Sequence, residues 1–167
     1  MPPISIVHFN GYSLKELPGG SGSFGDWEKV CWGDKESGLM GRIPTAIYHA
    51  LICQPKLFIW STGATQLPSG EYEAEHAYKT AIERKDRFAE DFPAHFQGLM
   101  PNKHEFEQWI TSISYFECQS KNTATSMEAV VPVIDEIYGN RPGVLYTVTS
   151  ANHASRALRD ALSIWRR

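Results

Sequence analysis

The sequence predicts an α/β fold: a three-layer α/β/α Rossmann-like domain whose four-stranded parallel sheet has the strand order 3-2-1-4. The first observation is that four short apolar segments typical of strands alternate with segments of helical spacing. The second is the run Val144-Leu-Tyr-Thr-Val-Thr149, whose continuous apolar character is typical of a strand covered on both faces. Strands that alternate with helices form a parallel sheet, because each connection crosses over with the same right hand.

The individual elements follow from local patterns. Apolar runs that end at turn residues predict strands at 4–9, 57–61, 110–116 and 144–149. Apolar residues three and four apart predict helices at 42–54, 71–89 and 152–165, a helix capped by Ser120 or Asn122 that ends at Tyr138, and a short helix around Phe106 and Trp109. The last helix is expected to bury one stripe, formed by Ala154, Ala157, Leu158, Ala161, Leu162 and Trp165.

The composition is that of one globular domain, which we take to span residues 1–167. Hydrophobic residues make up 42% and charged residues 21%, a balance that argues against disorder. The net charge is −3, from 16 Lys and Arg against 19 Asp and Glu, and the absence of a basic block argues against a nucleic-acid partner. No apolar run reaches the roughly 18 residues of a membrane span, so no membrane partner is expected.

The cysteines and the N-terminus indicate the compartment. Cys31, Cys53 and Cys118 are odd in number and widely separated, which predicts free thiols rather than a disulfide framework. The N-terminal residues lack the basic and then apolar order of a secretory signal. Both observations predict a cytoplasmic protein, because free thiols are typical of reducing compartments.

Polar side chains follow the third and fourth strands, where each strand is succeeded by a helix. The two motifs are Glu117-x-x-Ser120-x-Asn122-Thr123 and Val148-Thr149-Ser150-x-x-His153-x-x-Arg156. The carboxyl ends of parallel strands meet at one edge of the sheet, where ligands bind in this fold class. The N–H groups and the dipole of a helix N-terminus favour negative charge at that edge. The sequence therefore predicts a site for a small anionic molecule.

Glu117 and the pair His153 and Arg156 are the main candidates for chemistry. A carboxylate at the end of a buried strand needs a partner, and Arg42, Arg156 or a ligand could supply it. His153 suits an acid or base near neutral pH or a positioning role, and Arg156 suits a bidentate grip on a phosphate or carboxylate. The structural alternative for this pair is a solvated surface position on one helical face.

Ser120, Asn122 and Thr123 also have a structural alternative. Each is a good helix N-cap, so capping accounts for these residues as well as ligand binding does. Two metal-like patterns, one around Glu73 and His76 and one at 104–107, are better explained as solvated helix faces.

The segment 10–41 has a different character from the rest of the chain. It holds 8 of the 13 glycines and shows no sustained periodicity, and long irregular segments of this kind are typical of lids or floppy surface loops. The lid hypothesis makes Phe24, Trp27 and Trp32 stacking surfaces over the site. The segment is not a P-loop, because the Gly-Lys-Ser/Thr ending is missing. A second irregular insertion is expected at 91–109.

Taken in chain order, these residues resemble the YdcF/SanA/ElyC family, a bacterial Rossmann-like family of largely unknown function. The resemblance extends from Ile4 to about Leu162. It implies ligand-binding or catalytic roles for the positions that match the family pattern: Asn10, Gly11, Arg42, Ser61, Gly63, Glu73, Glu117, Ser120, Asn122, Thr123, Ser150, His153 and Arg156. It also implies S-adenosylmethionine as a candidate ligand, because one branch of the family has been linked to it.

The chain departs from the family pattern in three places. Ser61-Thr62-Gly63 stands where Ser-Gly-Gly is usual, and Tyr72-Glu73-Ala74 stands where Ser-Glu-Ala is usual. Relatives usually continue with a further strand and helix after the position of Arg156. A homo-oligomer in which a second subunit completes the pocket is therefore compatible with the resemblance.

Two functions stay open at this point. The first is an enzyme acting on a nucleotide-like or phosphorylated compound, with Glu117 and His153 as acid and base and with Arg42 and Arg156 holding the anion. The second is a sensor or accessory protein whose pocket only binds. A carboxylate and an imidazole at adjacent strand ends exceed what anion binding needs, which favours the enzyme.

Overall fold

The structure is a computed structural model that describes residues 3–11, 27–64, 66–67, 69–139, 143–149 and 151–165. Of the residues considered above, Phe24 and Ser150 lie outside this part, as do the side chains of Thr123, His153 and Trp165.

Four parallel strands form the central sheet, and two very short strands form a separate hairpin. The strands are β1 (Ile4–Asn10), β2 (Gly33–Asp34), β3 (Leu39–Met40), β4 (Leu57–Ser61), β5 (Ser114–Glu117) and β6 (Gly143–Val148). The α-helices are α1 (Arg42–Cys53), α2 (Glu73–Glu83), α3 (Arg87–Asp91), α4 (Pro93–Phe96), α5 (Lys103–Ile113), α6 (Thr123–Tyr138) and α7 (Ala151–Trp165).

The central sheet has the order β5-β4-β1-β6, so its four strands lie 3-2-1-4 in chain order. All three strand pairs are parallel, which confirms the predicted α/β fold with a four-stranded parallel sheet. The register aligns Asn10 with Ser61 and Ser61 with Glu117, while Phe9 aligns with Val148. The carboxyl ends of β1, β4 and β5 therefore finish at the same level.

Helices cover the two faces of the sheet, which separates the core into two clusters. Successive side chains of a strand point to opposite faces. Val7 and Phe9 accordingly pack with α1, α2 and α5 on what we call the first face. Ile6 packs with α6, and partly with α7, on the second face. The chain crosses from the first face to the second between β5 and β6.

The predicted helix 71–89 is interrupted in the structure. α2 ends at Glu83, a turn follows at 84–86, and α3 begins at Arg87. The break redirects the chain so that Phe88, Phe92 and Phe96 all enter the first-face cluster. The expected insertion 91–109 is largely helical, because it contains α4 and most of α5.

Two strand predictions need correction. The segment 110–116 was expected to be a strand, but its first residues complete α5 and the strand begins at Ser114, since Ile110 packs as a helical residue. β6 was expected to be covered on both faces, yet it lies at the edge of the sheet and Val144 is 37% exposed. The edge position agrees with the predicted order 3-2-1-4, but continuous apolar character did not mean that both faces are covered.

The stripe expected on the last helix is also partly wrong. Ala157 is buried and Ala161 is half-buried, but Ala154, Leu158 and Leu162 are exposed. Asp160 is buried in their place, and its carboxylate accepts hydrogen bonds from Arg159 at 2.8 and 3.0 Å. Among the described residues, no helix has both the length and the apolar character needed to cross a membrane.

The described end of the glycine-rich segment is ordered into the fold. A five-residue π-helix, Glu28–Trp32, precedes the hairpin of β2 and β3. Trp27 and Trp32 are buried, so the hypothesis that they are exposed stacking surfaces is wrong. Each indole N–H has a buried carboxylate partner, Glu73 at 3.2 Å and Asp91 at 2.8 Å, as buried tryptophans usually require. The lid hypothesis for 12–26 lies outside the described residues.

Candidate functional site

Three loops leave the carboxyl edge side by side, and their backbones bond to one another. The N–H of Gly11 donates to the carbonyl of Ser61 at 2.9 Å, just after β1 and β4 end. The loop after β4 bonds in turn to the end of β5 and the loop that follows it. Thr62 N–H donates to Glu117 O at 3.4 Å, and Ala64 N–H donates to Ser120 O at 2.8 Å. The ladder of the sheet thus continues past the strands and holds the three loops together.

Two glycines allow this close approach. A Cβ on Gly11 would lie 2.1 Å from Thr62 Cγ2, and a Cβ on Gly63 would lie 2.2 Å from the carbonyl oxygen of Ser120. Gly63 also has a φ of +69°, which glycine adopts without strain. The Gly11 and Gly63 positions implied by the resemblance are therefore required by the packing of the loops themselves.

Glu117 stands at the centre of this packing and is 3% exposed. Its Oε1 accepts the backbone N–H groups of Gln119 and Ser120, both at 2.8 Å. Its Oε2 accepts the hydroxyls of Ser120 at 2.6 Å and Ser61 at 3.1 Å. The partners that the sequence suggested, Arg42 and Arg156, are not among these four donors.

These bonds determine the charge of Glu117. Burial alone would raise the pKa of this carboxyl, but the hydrogen bonds from Ser120, Gln119 and Ser61 outweigh burial and hold the pKa below its ordinary value. Glu117 is therefore ionised at neutral pH with its lone pairs engaged, an arrangement that suits a fixed charge better than a proton acceptor.

The helix after β5 begins with a side-chain cap. Asn122 Oδ1 accepts the N–H of Thr125 at 3.0 Å, so the capping role considered for Asn122 is present. Ser120 turns its hydroxyl to Glu117 instead of to the helix. Ser126, in the first turn of α6, is buried and shares a short hydrogen bond with the hydroxyl of Ser61. This contact links α6 to the end of β4.

Arg42 and Glu73 both lie buried at the start of first-face helices. Arg42 is 4% exposed, and its Nη1 donates to the carbonyls of Asn10, at 2.8 Å, and Gly11. Glu73 begins α2, where the helix dipole favours a carboxylate, and it lies 3.2 Å from the Cβ position of Gly11. Both residues thus contact the loop after β1, and the ligand-binding roles that the resemblance implies for them stay predictions.

His8 and Asn10 differ from the residues described so far. They alternate with Phe9, so both lie on the second face, and His8 is fully buried. Among the described residues, neither ring nitrogen of His8 nor the amide nitrogen of Asn10 has a hydrogen-bond partner. Burial lowers the pKa of His8 to about 4, against an opposing effect of the negative charge on Glu117. His8 is therefore neutral at pH 7.

The order of the strands reverses between β1 and β6. The chain leaves β1 toward α1 on the first face and leaves β6 toward α7 on the second face. Ligands of open parallel sheets bind in the crevice between two such strands. Arg156 lies on α7 and is exposed, and the motif that begins with Thr149 follows β6 as predicted. Roles for Ser150, His153 and Thr123 stay predictions.

Other chemistry receives no support from the described residues. Burial, followed by the negative charges of Glu75 and Glu117, raises the pKa of Cys118 to about 11, which leaves an unreactive thiol. Within the same residues, no group of three or more His, Cys, Asp or Glu side chains is placed to hold a metal ion.

Sequence reasoning missed two members of the site. Ser126 gave no signal, because a serine in the first turn of a helix is common. His8 was interpreted as a core or surface histidine, although a histidine inside a short apolar strand is a polar group whose burial needs an explanation. Comparisons of the chain with protein-family models, with curated proteins and with solved structures find no match.

Proposed function

We propose that the chain is a Rossmann-like protein that binds a small nucleotide-like or phosphorylated molecule at the carboxyl edge, in the crevice between β1 and β6. One observation carries the proposal. Buried polar groups without hydrogen-bond partners among the described residues, at His8 and Asn10, lie on the strand that flanks the topological reversal. Unpaired buried polar groups destabilise a fold, so they are expected where a ligand uses them.

The anionic part of the ligand is assigned to the β6 side of the crevice. Arg156 is exposed on α7 and is available for a bidentate contact with phosphate or carboxylate. The N-terminus of this 15-residue helix adds backbone N–H groups and a favourable dipole. The ionised Glu117 on the other side of β1 disfavours an anion there.

S-adenosylmethionine as a ligand, the relationship to the YdcF/SanA/ElyC family and the cytoplasmic location are further parts of this proposal.

Binding without catalysis is the version that the geometry favours. Glu117 was expected to act as an acid or base, but its two oxygens accept four hydrogen bonds from its own loop and from Ser61. An enzyme would have to draw its acid or base from His153 or from the ligand. Turnover that Glu117→Gln abolishes in a protein that still binds ligand would contradict this preference.

A thermal-shift screen tests the proposed function. Purified protein is heated with S-adenosylmethionine, nucleotides, nucleotide sugars and sugar phosphates, beside the variant Arg156→Ala. A ligand at about 100 times its dissociation constant stabilises by roughly 2.7 kcal/mol, which corresponds to several degrees. We expect a shift with at least one phosphorylated compound that Arg156→Ala loses.

Lys56→Ala is the matched control for this screen. Lys56 is exposed just before β4, at the opposite edge of the sheet, so its removal changes the net charge equally without altering the site. A shift that both variants lose would indicate a general charge effect. The absence of any shift in the wild-type protein would contradict the proposed function.

A further inference from the structure

The β1 side of the crevice contains two polar side chains that the fold itself does not use. His8 and Asn10 are two residues apart and lie on the same face of the central strand. A neutral imidazole carries one N–H donor and one acceptor nitrogen, and both lack a partner among the described residues. Leaving such groups unpaired destabilises the folded protein, so an apolar residue at position 8 would suit the fold better.

The neighbours of His8 indicate where this polar surface opens. In the register of the sheet, His8 lies between Ile59 of β4 and Thr147 of β6. Ile59 is buried beneath α6, whereas Thr147 is exposed. Within the sheet, the exposed neighbour of the buried His8 is therefore Thr147 and not Ile59, so a ligand that reaches His8 would come from the side of Thr147.

The charge of this surface indicates the chemistry of its ligand. His8 is neutral, Asn10 is an amide and Thr147 is a hydroxyl, so the wall offers donors and acceptors without charge. Glu117 is the ionised group whose charge acts on His8 from the β5 side. A phosphate beside His8 would be repelled by that carboxylate, whereas a hydroxyl or a heterocycle would not.

We propose that His8 and Asn10 hydrogen-bond the uncharged nucleoside part of the ligand and so determine specificity for it. The proposal rests on the proposed function and adds a direction to it, with the nucleoside toward β1 and the anion toward α7. Because His8 is fully buried, the nucleoside would enter by displacing side chains that cover it beside Thr147.

Titration calorimetry with adenosine monophosphate and adenosine tests the orientation. The variants are His8→Phe, Asn10→Ala and Arg156→Ala, with His49→Phe as the matched control, because His49 stacks on Tyr146 across the first face. We expect His8→Phe and Asn10→Ala to lower the affinity for both compounds at least tenfold. Arg156→Ala should lower the affinity for the monophosphate only, and His49→Phe should change neither affinity.

The possible results separate the two proposals. If the wild-type protein binds the monophosphate and Arg156→Ala weakens it, while His8→Phe and Asn10→Ala do not, the orientation is wrong and the proposed function stands. The same conclusion follows if the protein binds only sugar phosphates. If it binds no compound in either experiment, both proposals fail. A melting temperature measured for each variant shows that it is folded, and Asn10→Ala carries the test should His8→Phe not fold.

Discussion

The two halves of the carboxyl edge use their polar side chains in different ways. At the ends of β4 and β5, Ser61, Ser120 and Ser126 and the backbone of the loop all bond to one another or to Glu117. At the end of β1, the ring nitrogens of the buried His8 and the amide nitrogen of the half-buried Asn10 have no such partners among the described residues, and after β4 the same is true of the Thr62 hydroxyl. The first half therefore holds the loops in place, and the second half is the one that a ligand can complete.

This difference changes how the motif residues are interpreted. Glu117 was the strongest candidate for chemistry in the sequence, because a buried carboxylate is unfavourable without hydrogen-bond or ionic partners. The protein itself supplies those partners, since four donors surround the carboxylate. A conspicuous polar residue at the end of a strand can thus be part of the scaffold, while a less conspicuous histidine inside the strand carries the proposed ligand contact.

The largest effect on the scaffold half is expected from Gly63→Ala. Its Cβ would meet the backbone carbonyl of Ser120 at 2.2 Å, and its φ of +69° is unfavourable for alanine. We expect the free energy of unfolding to fall by roughly 4 kcal/mol, from backbone strain and overpacking together. Chemical denaturation in urea measures this change.

Gly70→Ala is the control for that experiment. Gly70 also has a positive φ, +84°, but a Cβ there would meet nothing within 4 Å. The Gly70→Ala substitution should lower the free energy of unfolding by only about 1–2 kcal/mol, which is the strain of the left-handed conformation. Equal losses for the two variants would show that the loops after β4 and β5 are not tightly joined.

The next effect belongs to His8 and depends on pH. Burial lowers its pKa from 6.5 to about 4, so the unfolded chain binds a proton that the folded protein excludes between these values. Stability should be independent of His8 above about pH 6.5 and should fall by roughly 3 kcal/mol as the pH decreases to 4. Urea unfolding between pH 4 and 8 measures the slope.

His8→Phe identifies the source of that slope. The variant should lose most of the decline between pH 6.5 and 4, because phenylalanine binds no proton. Glu117 contributes in a separate range, since its lowered pKa means that its stabilising charge is lost only in more acidic solution. If the free energy of unfolding of the variant declined with falling pH as steeply as that of the wild-type protein, His8 would be accessible to protons in the folded state.

A smaller effect is expected from Glu117→Gln at pH 7. The amide nitrogen of glutamine cannot accept the bonds that one carboxylate oxygen accepts, so at least one buried donor loses its partner. The free energy of unfolding should decrease by roughly 2 kcal/mol. Glu105→Gln, at an exposed helix start, should change it by less than about 0.5 kcal/mol. A neutral effect of Glu117→Gln would contradict the scaffold role.

The alternation of strands and helices allowed the fold class to be predicted, because that pattern leaves few arrangements of a parallel sheet. The edge position of β6 follows from the predicted order 3-2-1-4, but its burial was overestimated, since a run such as Val144–Val148 is equally apolar in a strand covered on both faces and in an edge strand with exposed residues. Local spacing also could not show that α2 ends at Glu83. Phe88 is expected to be buried in one continuous helix, and it is equally buried in the separate helix α3.

The meeting of the candidate residues at one edge of the sheet was predicted, but their contacts were predicted only in part. The edge to which Asn10, Ser61 and Glu117 contribute follows from parallel register alone. The partners of Glu117 could not be predicted, because Ser61 is 56 residues away along the chain and the closeness of the two depends on the packing of the loops. Trp27 and Trp32 were interpreted as stacking surfaces over the site because the buried carboxylates that receive their N–H groups are similarly distant in sequence, 46 and 59 residues away.

The most direct test of the account measures stability and binding together in Asn10→Ala and Glu117→Gln. Urea unfolding gives the stability, and titration with adenosine monophosphate and S-adenosylmethionine gives the affinity. The account predicts that Asn10→Ala keeps its stability within about 0.5 kcal/mol and loses at least tenfold in affinity, whereas Glu117→Gln loses stability and keeps its affinity within about threefold. The reverse pattern would contradict the division of the edge into a scaffold half and a ligand half, and a wild-type protein that binds neither compound would contradict the proposed nucleoside contacts of His8 and Asn10.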